Sequence, residues 1–262
     1  MQDAVPHLTA FKPTTTKGLS GVLGSQSANV IHLFCIPYAG GSAAVYRDWQ
    51  NQAPRWLEIH PIELPGRGRL SSVALPQSIP QLAQQITSSL DAEGDAPFAL
   101  FGHSMGAAIA YEVARNLEIR GSKLLRRLIV SGARAPFLPR MSSGTSDLTD
   151  LEFLDLLRDL NGTPPDVLDD AELMEVLLPI IRSDFAISEK YFLKKKHVLQ
   201  IPITVLAGDG DPYISVDDAE AWGKLTVAPL RIVRFPGDHF FIASDEASVI
   251  AAVSRDLCMT VE

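Results

Sequence analysis

Short apolar runs alternate with helical patterns along most of this chain. Runs that favour buried strands lie at residues 30–36, 58–64, 98–101, 125–131, 203–207 and 230–235. Helical spacing of apolar positions is found at residues 43–56, 79–90, 107–120 and 247–257. In the second of these, Ser78 is a suitable N-cap and Pro80 falls in the first turn. Continuous apolar strands separated by helices predict an α/β fold, with a mostly parallel central sheet and helices on both faces.

One long stretch interrupts this alternation. Residues 133–196 contain no strand pattern, but they carry leucine-rich helical stripes at 151–160 and 173–181, separated by a Gly/Pro-containing break at 161–165. The stretch falls between two predicted strands, so we expect a helical lid at the carboxyl edge of the sheet, where open α/β sheets bind ligands. Most of its leucines should pack the lid onto the body. Those that face inward would line an apolar channel.

Composition limits the possible classes of protein. The 262 residues suit one domain, which we place at 30–262, preceded by a partly ordered polar leader at 1–29 that does not resemble a signal peptide. The net charge of −8 argues against a nucleic-acid partner. No run approaches the ~20 apolar residues of a membrane span. Two cysteines are too few for a disulfide framework, so we expect a cytoplasmic protein. No motif for a metal, nucleotide or other cofactor is present.

The most informative segment is G-x-S-x-G at residues 102–106, with Ser104 at its centre. It follows a predicted strand and precedes a predicted helix, which is the arrangement of the nucleophile elbow in α/β-hydrolases. In this turn a side chain in place of either glycine would clash with the neighbouring strand and helix. Ser104 is therefore the candidate nucleophile.

A serine nucleophile needs a base and an acid that orients the base, and in this fold they follow it in the order acid, then histidine. Only His239, just after the last predicted strand, has the right order and location. His103 is expected to point away from the partners of the serine. The loop after the strand at 203–207 offers Asp209 and Asp211. We favour Asp211, which lies past the turn, and interpret Asp209 as a turn-forming residue.

The tetrahedral intermediate needs hydrogen-bond donors for its oxyanion. One candidate is the backbone N–H of Met105, at the start of the predicted helix. The second should come from the glycine-containing loop at 37–42, where the N–H of Ala39 is the first choice and those of Tyr38 and Gly40 compete with it.

Several local patterns together resemble one family, the type II thioesterases of nonribosomal peptide and polyketide biosynthesis. They are PYAGGS at 37–42, LPGRGR at 64–69, GHSMG at 102–106, LPIIRSDF at 178–185 and GDHF at 237–240. The resemblance implies an α/β-hydrolase fold with a helical lid, and hydrolysis of acyl groups from the phosphopantetheine arm of acyl or peptidyl carrier proteins. It also implies a triad of Ser104, Asp211 and His239, with Ala39 and Met105 as oxyanion donors. The long leader departs from the family pattern.

Other interpretations remain at this point. A carboxylesterase or lipase, or an acyltransferase, would share the triad, and a scaffold that binds synthase modules would not need it. The run Lys194-Lys195-Lys196 is either an ordinary solvated loop or a docking site for acidic carrier proteins. The roles of Arg67 and Arg69 are open. We expect a monomer.

Overall fold

Six parallel strands form one sheet in the computed structural model, which describes residues 30–91, 96–139 and 144–259. The strands are β1 Ile31–Ile36, β2 Leu57–Pro61, β3 Phe98–His103, β4 Leu125–Ser131, β5 Ile203–Gly208 and β6 Leu230–Phe235. Their order is β2-β1-β3-β4-β5-β6, and every neighbouring pair is parallel. The chain moves outward in opposite directions from β1 and β3, so the loops after these two strands adjoin at the switch point of the sheet. The leader predicted at 1–29 lies outside the described residues.

Helices cover both faces of this sheet, as the apolar pattern predicts. They are α1 Trp49–Gln52, α2 Ile79–Leu90, α3 Met105–Ile119, α4 Asp150–Leu160, α5 Pro165–Leu168, α6 Ala171–Lys190, α7 Val216–Glu220, α8 Phe241–Ser244 and α9 Glu246–Cys258. Residues of α2 and α3 pack with Phe34 and Ile36 of β1 on one face. Residues of α1 and α9 pack with Leu33 and Cys35 on the other. This alternation along one buried strand gives the sheet two apolar faces and the fold its three layers.

The N-cap predicted at the start of α2 is confirmed, whereas the helix predicted from the apolar spacing at 43–56 is not. Ser78 caps α2 by accepting a hydrogen bond from the backbone N–H of Gln81. The single helix predicted over 43–56 is wrong. A 3₁₀ turn at Ala43–Tyr46 is followed by the four-residue α1. Pro54 disfavours a helical conformation at the residue before it, and Ala53 is extended. The strand predicted at 58–64 ends earlier, since β2 stops at Pro61.

The stretch between β4 and β5 is helical and has a small core of its own. Helices α4, α5 and α6 bury five apolar side chains together: Phe153, Leu157, Leu168, Met174 and Ile181. Thr149 and Glu152 form a capping box at the start of α4, and Asn161 ends this helix in a left-handed conformation. Other members of the apolar stripes face outward, with Leu151 75% and Val176 64% exposed. We call residues 133–196 the helical insertion; residues 140–143 within it are outside the described part.

Within the described residues, no helix has the length and apolar character needed to cross a membrane.

Candidate active site

Ser104 occupies a strained turn between β3 and α3. Its backbone φ is 53° and ψ is −116°, which is unusual for a residue other than glycine. A Cβ atom on Gly106 would lie 2.3 Å from the carbonyl oxygen of Ile36, and one on Gly102 would lie 2.1 Å from that of Gly106. Both glycines are therefore required by the close approach of β1, β3 and α3. The close packing holds Ser104 at the carboxyl edge of the sheet.

The elbow is tied to the next strand and places a helix N-terminus beside the serine. The backbone N–H of Ser104 donates to the carbonyl oxygen of Ser131, at the end of β4, over 2.8 Å. Met105 is the first residue of α3. Its N–H is therefore one of those that have no acceptor within their own helix. An anion next to Ser104 would meet this N–H and the positive end of the helix dipole.

The loops after β5 and β6 bring a carboxylate and an imidazole together. Asp211 Oδ2 lies 2.7 Å from His239 Nδ1, and the carboxylate is fully buried. The other oxygen of Asp211 accepts a hydrogen bond from the backbone N–H of Tyr213. Asp209 instead pairs with Arg234 and is more than half exposed. Of the two candidate acids, the structure brings Asp211 to the imidazole. In neutral His239 this pairing favours a proton on Nδ1 and a free electron pair on Nε2.

Aromatic rings surround His239 and connect it to the elbow. The ring of His103 lies 5.1 Å from that of His239, and those of Phe240 and Tyr213 lie 5.1 and 5.8 Å away. The expectation that His103 points away from the partners of the serine is thus wrong, because its ring packs on His239. Burial strongly lowers the pKa of His103, and the charge of His239 lowers it further. His103 is therefore a neutral residue whose ring packs on His239 and whose Nδ1 lies 2.9 Å from Ser131 Oγ.

The loop after β1 narrows the choice of the second oxyanion donor. The N–H of Gly40 donates to Asp184 Oδ2 over 2.8 Å, and the N–H of Gly41 donates to the carbonyl oxygen of Tyr38. Both groups are therefore occupied. The backbone N–H groups of Tyr38 and Ala39 make no hydrogen bond to another described residue. Gly40 is thus removed from the candidates, while Ala39 and Tyr38 remain.

The role of Arg67, open at the level of sequence, is structural. Its guanidinium forms two hydrogen bonds with Asp184 of α6, of 2.7 and 2.9 Å, and both side chains are buried. The same guanidinium donates to the carbonyl oxygen of Gly41 over 2.8 Å. Arg69, two residues on, is exposed. Arg67 and Asp184 lie in two of the motifs that carry the family resemblance. The sequence does not show that their side chains meet, because they are 117 positions apart.

The break in the helical insertion lies over the loops that carry the candidate residues. Tyr38 donates its hydroxyl hydrogen to the carbonyl oxygen of Gly162 over 3.3 Å. A Cβ atom on Gly162 would lie 2.1 Å from the ring of Phe240, the neighbour of His239. Asn161 Nδ2 donates to Asp238 over 3.4 Å. The insertion therefore contacts the loops on both sides of the elbow.

The three lysines after α6 have different surroundings. The ammonium of Lys196 lies 3.7 Å from the ring centroid of Phe137 and is engaged in a cation–π contact. Lys194 and Lys195 line an open cleft of about 390 Å³, together with Lys190 and Arg115. This cleft is basic, and the residues of the elbow and the His–Asp pair are not among those that line it.

A parallel sheet with a strained serine elbow after β3, an acid after β5 and a histidine after β6 defines an α/β-hydrolase. The sequence profile of the thioesterase domain family matches residues 31–257, which is most of the chain. The protein therefore belongs to the thioesterase family, whose members are hydrolases that act on thioesters.

Individual relatives agree with this assignment. The gramicidin S biosynthesis protein GrsT of Aneurinibacillus migulanus is 36% identical over 88% of this chain and 91% of its own length. The type II thioesterase BorB of the borrelidin cluster superposes with a TM-score of 0.79, at 35% identity over 86% of this chain and 92% of BorB. ClbQ of the colibactin pathway gives a TM-score of 0.83, at 31% identity over 88% of this chain and 98% of ClbQ. These findings confirm the resemblance to type II thioesterases and the α/β-hydrolase fold.

Proposed function

We propose that this protein is an editing thioesterase that hydrolyses acyl groups from the phosphopantetheine arm of carrier proteins. It would thereby clear stalled or misprimed chains from a nonribosomal peptide or polyketide synthase. The observation that carries the proposal is the buried Asp211–His239 pair beside the Ser104 elbow, in a chain whose relatives serve such pathways. The comparisons do not favour a general carboxylesterase or an acyltransferase.

In the proposed mechanism, Ser104 Oγ attacks the thioester carbonyl while His239 Nε2 takes the hydroxyl proton. Asp211 holds the imidazole in the required tautomer and stabilises the imidazolium that forms. The oxyanion accepts hydrogen bonds from the backbone N–H groups of Met105 and Ala39. The C–S bond then breaks, and the imidazolium protonates the thiolate to give the free pantetheine thiol. A water molecule, deprotonated by His239, attacks the acyl-serine; the bond from the acyl carbon to Ser104 Oγ breaks, the imidazolium returns its proton to Oγ, and the carboxylic acid leaves.

The helical insertion acts as a lid over this site in our proposal. Its break at Asn161 and Gly162 contacts the loops of Tyr38 and His239, so an acyl chain that reaches Ser104 passes beneath it. The inner apolar side chains of the insertion would then contact the acyl chain. An apolar lining of this kind would suit fatty or polyketide chains.

The partner in this proposal is an acyl or peptidyl carrier protein. Carrier proteins are typically acidic, and Lys190, Lys194 and Lys195 offer positive charge around the open cleft beside the insertion. Charge reversal at Lys194 and Lys195 should raise KM for an acyl-carrier substrate several-fold and leave hydrolysis of a small acyl thioester unchanged. Equal effects on both substrates, or none on either, would refute this docking site.

The reaction itself is tested with acyl chains of several lengths, each presented on a carrier protein and as an oxygen ester. The proposal predicts release of the carrier thiol by the wild-type protein and a much lower kcat/KM for the oxygen esters. The Ser104→Ala variant should be inactive on both. A wild-type protein that hydrolyses only oxygen esters would be an esterase, and the proposed function would be wrong.

A further inference from the structure

The carboxylate of Asp184, on α6, lies buried against the loop after β1. This side chain is completely shielded from solvent and accepts three hydrogen bonds, two from Arg67 and one from the backbone N–H of Gly40. Arg67 in turn donates to the carbonyl oxygen of Gly41. The pair therefore holds both polar ends of the Gly40–Gly41 segment, which directly follows the candidate oxyanion donor Ala39.

The backbone of this loop depends on α6 in a second way. Gly40 has a φ of +79°, in the left-handed region that favours glycine. A Cβ atom there would lie 3.0 Å from Ile181 Cγ1, on the same helix. Gly40 can adopt this backbone conformation because it has no side chain. The hydrogen bond from its N–H to Asp184 then holds the backbone in that conformation. Without that acceptor, the loop loses an anchor one residue after Ala39, and the position of the Ala39 N–H is less well fixed.

We propose that Arg67 and Asp184 are positioning residues that hold the oxyanion loop for acyl transfer and couple it to the helical insertion. The inference rests on the proposed function, since it assumes that the loop after β1 stabilises an oxyanion. Oxyanion donors act only when they are correctly placed in advance, so a loosened loop should lower kcat more than it raises KM.

Two double variants separate this positioning role from simple stability. Arg67→Met with Asp184→Leu replaces the ion pair by apolar groups and leaves the Gly40 N–H without an acceptor. Arg67→Met with Asp184→Asn also removes the ion pair but keeps an amide oxygen for Gly40. Neither double variant leaves an unpaired buried charge, so both should fold. We expect kcat on an acyl-carrier thioester to fall about 10- to 100-fold in the leucine variant and to recover in part in the asparagine variant.

A matched control is available on the same helix. Arg182 of α6 also forms hydrogen bonds with an aspartate, Asp150, but this carboxylate is 71% exposed and accepts from Arg182 rather than from the loop after β1. Asp150→Asn should leave kcat unchanged. The inference is overturned if both double variants keep the wild-type kcat, if both lose it equally, or if only KM changes. An inactive wild-type protein would instead refute the proposed function.

Three side chains of types that bind metal ions cluster at the edge of the sheet. His32 of β1 and Glu58 of β2 are register partners, and His60 lies two residues beyond Glu58, so all three project from the same face. His32 Nδ1 and His60 Nε2 are 2.8 Å apart, and Glu58 Oε2 lies 3.4 and 3.5 Å from them. His60 is buried, and the other two are partly exposed.

The three atoms form a triangle that a single transition-metal ion can span. An ion bound at the usual Zn–N and Zn–O distances of about 2.0–2.2 Å needs ligand atoms roughly 3.3 Å apart. Two of the three separations already have this size, and the third needs to widen by a few tenths of an ångström. A proton shared between the imidazoles satisfies only two of these atoms at once, whereas an ion accepts an electron pair from each. We infer a Zn²⁺ site with two imidazoles, one carboxylate and a water molecule, which would join the edge strand β2 to β1.

Titration calorimetry with ZnCl₂ tests this inference on the full-length, chelator-treated protein without an affinity tag. We expect one ion per chain and a higher melting temperature in its presence. His32→Gln and Glu58→Gln should each weaken binding about 10-fold or more. His197→Gln is the control, because His197 also pairs with a glutamate, Glu118, 3.1 Å away, but that pair is not part of the three-residue cluster. Absence of one-to-one binding, or binding that these two variants leave unchanged, would overturn the inference.

Discussion

The sheet body and the helical insertion bury apolar side chains to different extents. Helix α3 of the body buries ten of its residues, from Met105 to Leu117. The insertion has a separate core of five buried side chains, while its Ile187 and Leu193 pack into the core of the body and its Leu151 and Val176 are exposed. The candidate nucleophile, base and acid all lie on loops of the body. Among the contacts of the insertion with those loops are a hydrogen bond from Asn161 to Asp238 and the close approach of Gly162 to the ring of Phe240.

This difference indicates that the body holds the catalytic groups in place and that the insertion opens for substrate. Strained or precisely oriented groups such as Ser104 require surroundings that cannot relax, and the close-packed body supplies them. Regions with small cores open at lower free energy than the rest of a domain, which suits a segment that admits and releases substrate. We therefore expect kcat to respond to changes in the body and in the insertion residues that hold its loops, such as Asp184. Changes elsewhere in the insertion should act on KM and stability.

The largest effect should come from the body, at the acid of the proposed triad. Asp211→Asn should lower kcat by about 10⁴-fold, because an amide favours the wrong tautomer of His239. Asp209→Asn, two residues away, removes only an exposed pairing with Arg234 and should change kcat less than about twofold. Steady-state kinetics on an acyl-carrier thioester measures both. Equal losses in the two variants would contradict the assignment of Asp211.

A smaller effect is expected where the two regions meet. An added methyl group at Gly162 would lie 2.1 Å from the Phe240 ring, so Gly162→Ala should displace the neighbour of His239 and lower kcat about 10-fold. Gly223→Ala serves as the control, because there the new atom would lie 3.5 Å from the nearest side chain. A wild-type kcat in Gly162→Ala would show that the insertion does not restrain the histidine loop.

Within the insertion, the expected effect shifts from kcat to stability. Phe153 is fully buried and packs edge-on against Phe185, with the guanidinium of Arg182 over its ring. Phe153→Ala should destabilise the folded protein by about 3 kcal/mol. It should also raise KM several-fold while kcat falls less than in Asp211→Asn. Denaturant unfolding and steady-state kinetics provide the two readouts. A loss of kcat with unchanged KM would contradict the proposal that the core of the insertion affects substrate binding rather than the chemical step.

The smallest effect should come from the outer surface of the insertion. Leu151→Gln and Val176→Gln replace exposed apolar side chains and should change the free energy of unfolding by about 0.5 kcal/mol or less. Their kcat and KM values should match those of the wild-type protein. A melting temperature lowered as far as in Phe153→Ala would mean that these residues are packed in solution.

The sequence predicted the body better than the insertion, for physical reasons. Continuous apolar strands and the strand–turn–helix context of Ser104 are visible in short segments of sequence. The order of acid and histidine is visible along the chain. The stripes in the insertion predicted helices, but helical spacing alone did not show that Phe153 faces inward and Leu151 outward. The helix expected at 43–56 was wrong at its C-terminal end because Pro54 disfavours a helical conformation at Ala53.

Contacts between distant segments could not be derived from the sequence. The sequence favoured Asp211 over Asp209, but only the structure shows where the loop after β5 meets His239, and it brings Asp211 there. The hydrogen bond from Gly40 to Asp184 spans 144 positions, and only the folded chain shows that this N–H is occupied. The position of His103 against His239 was missed for the same reason.

The central claim is that Ser104 carries the acyl group between thioester cleavage and release of the acid. Rapid quenching of the wild-type protein with an acyl-carrier thioester, followed by peptide mass spectrometry, tests it directly. The account predicts a transient mass increase equal to the acyl group on the peptide that contains Ser104, and neither adduct nor thiol release in Ser104→Ala. Thiol release at the wild-type rate by Ser104→Ala, or an adduct on another residue, would contradict it.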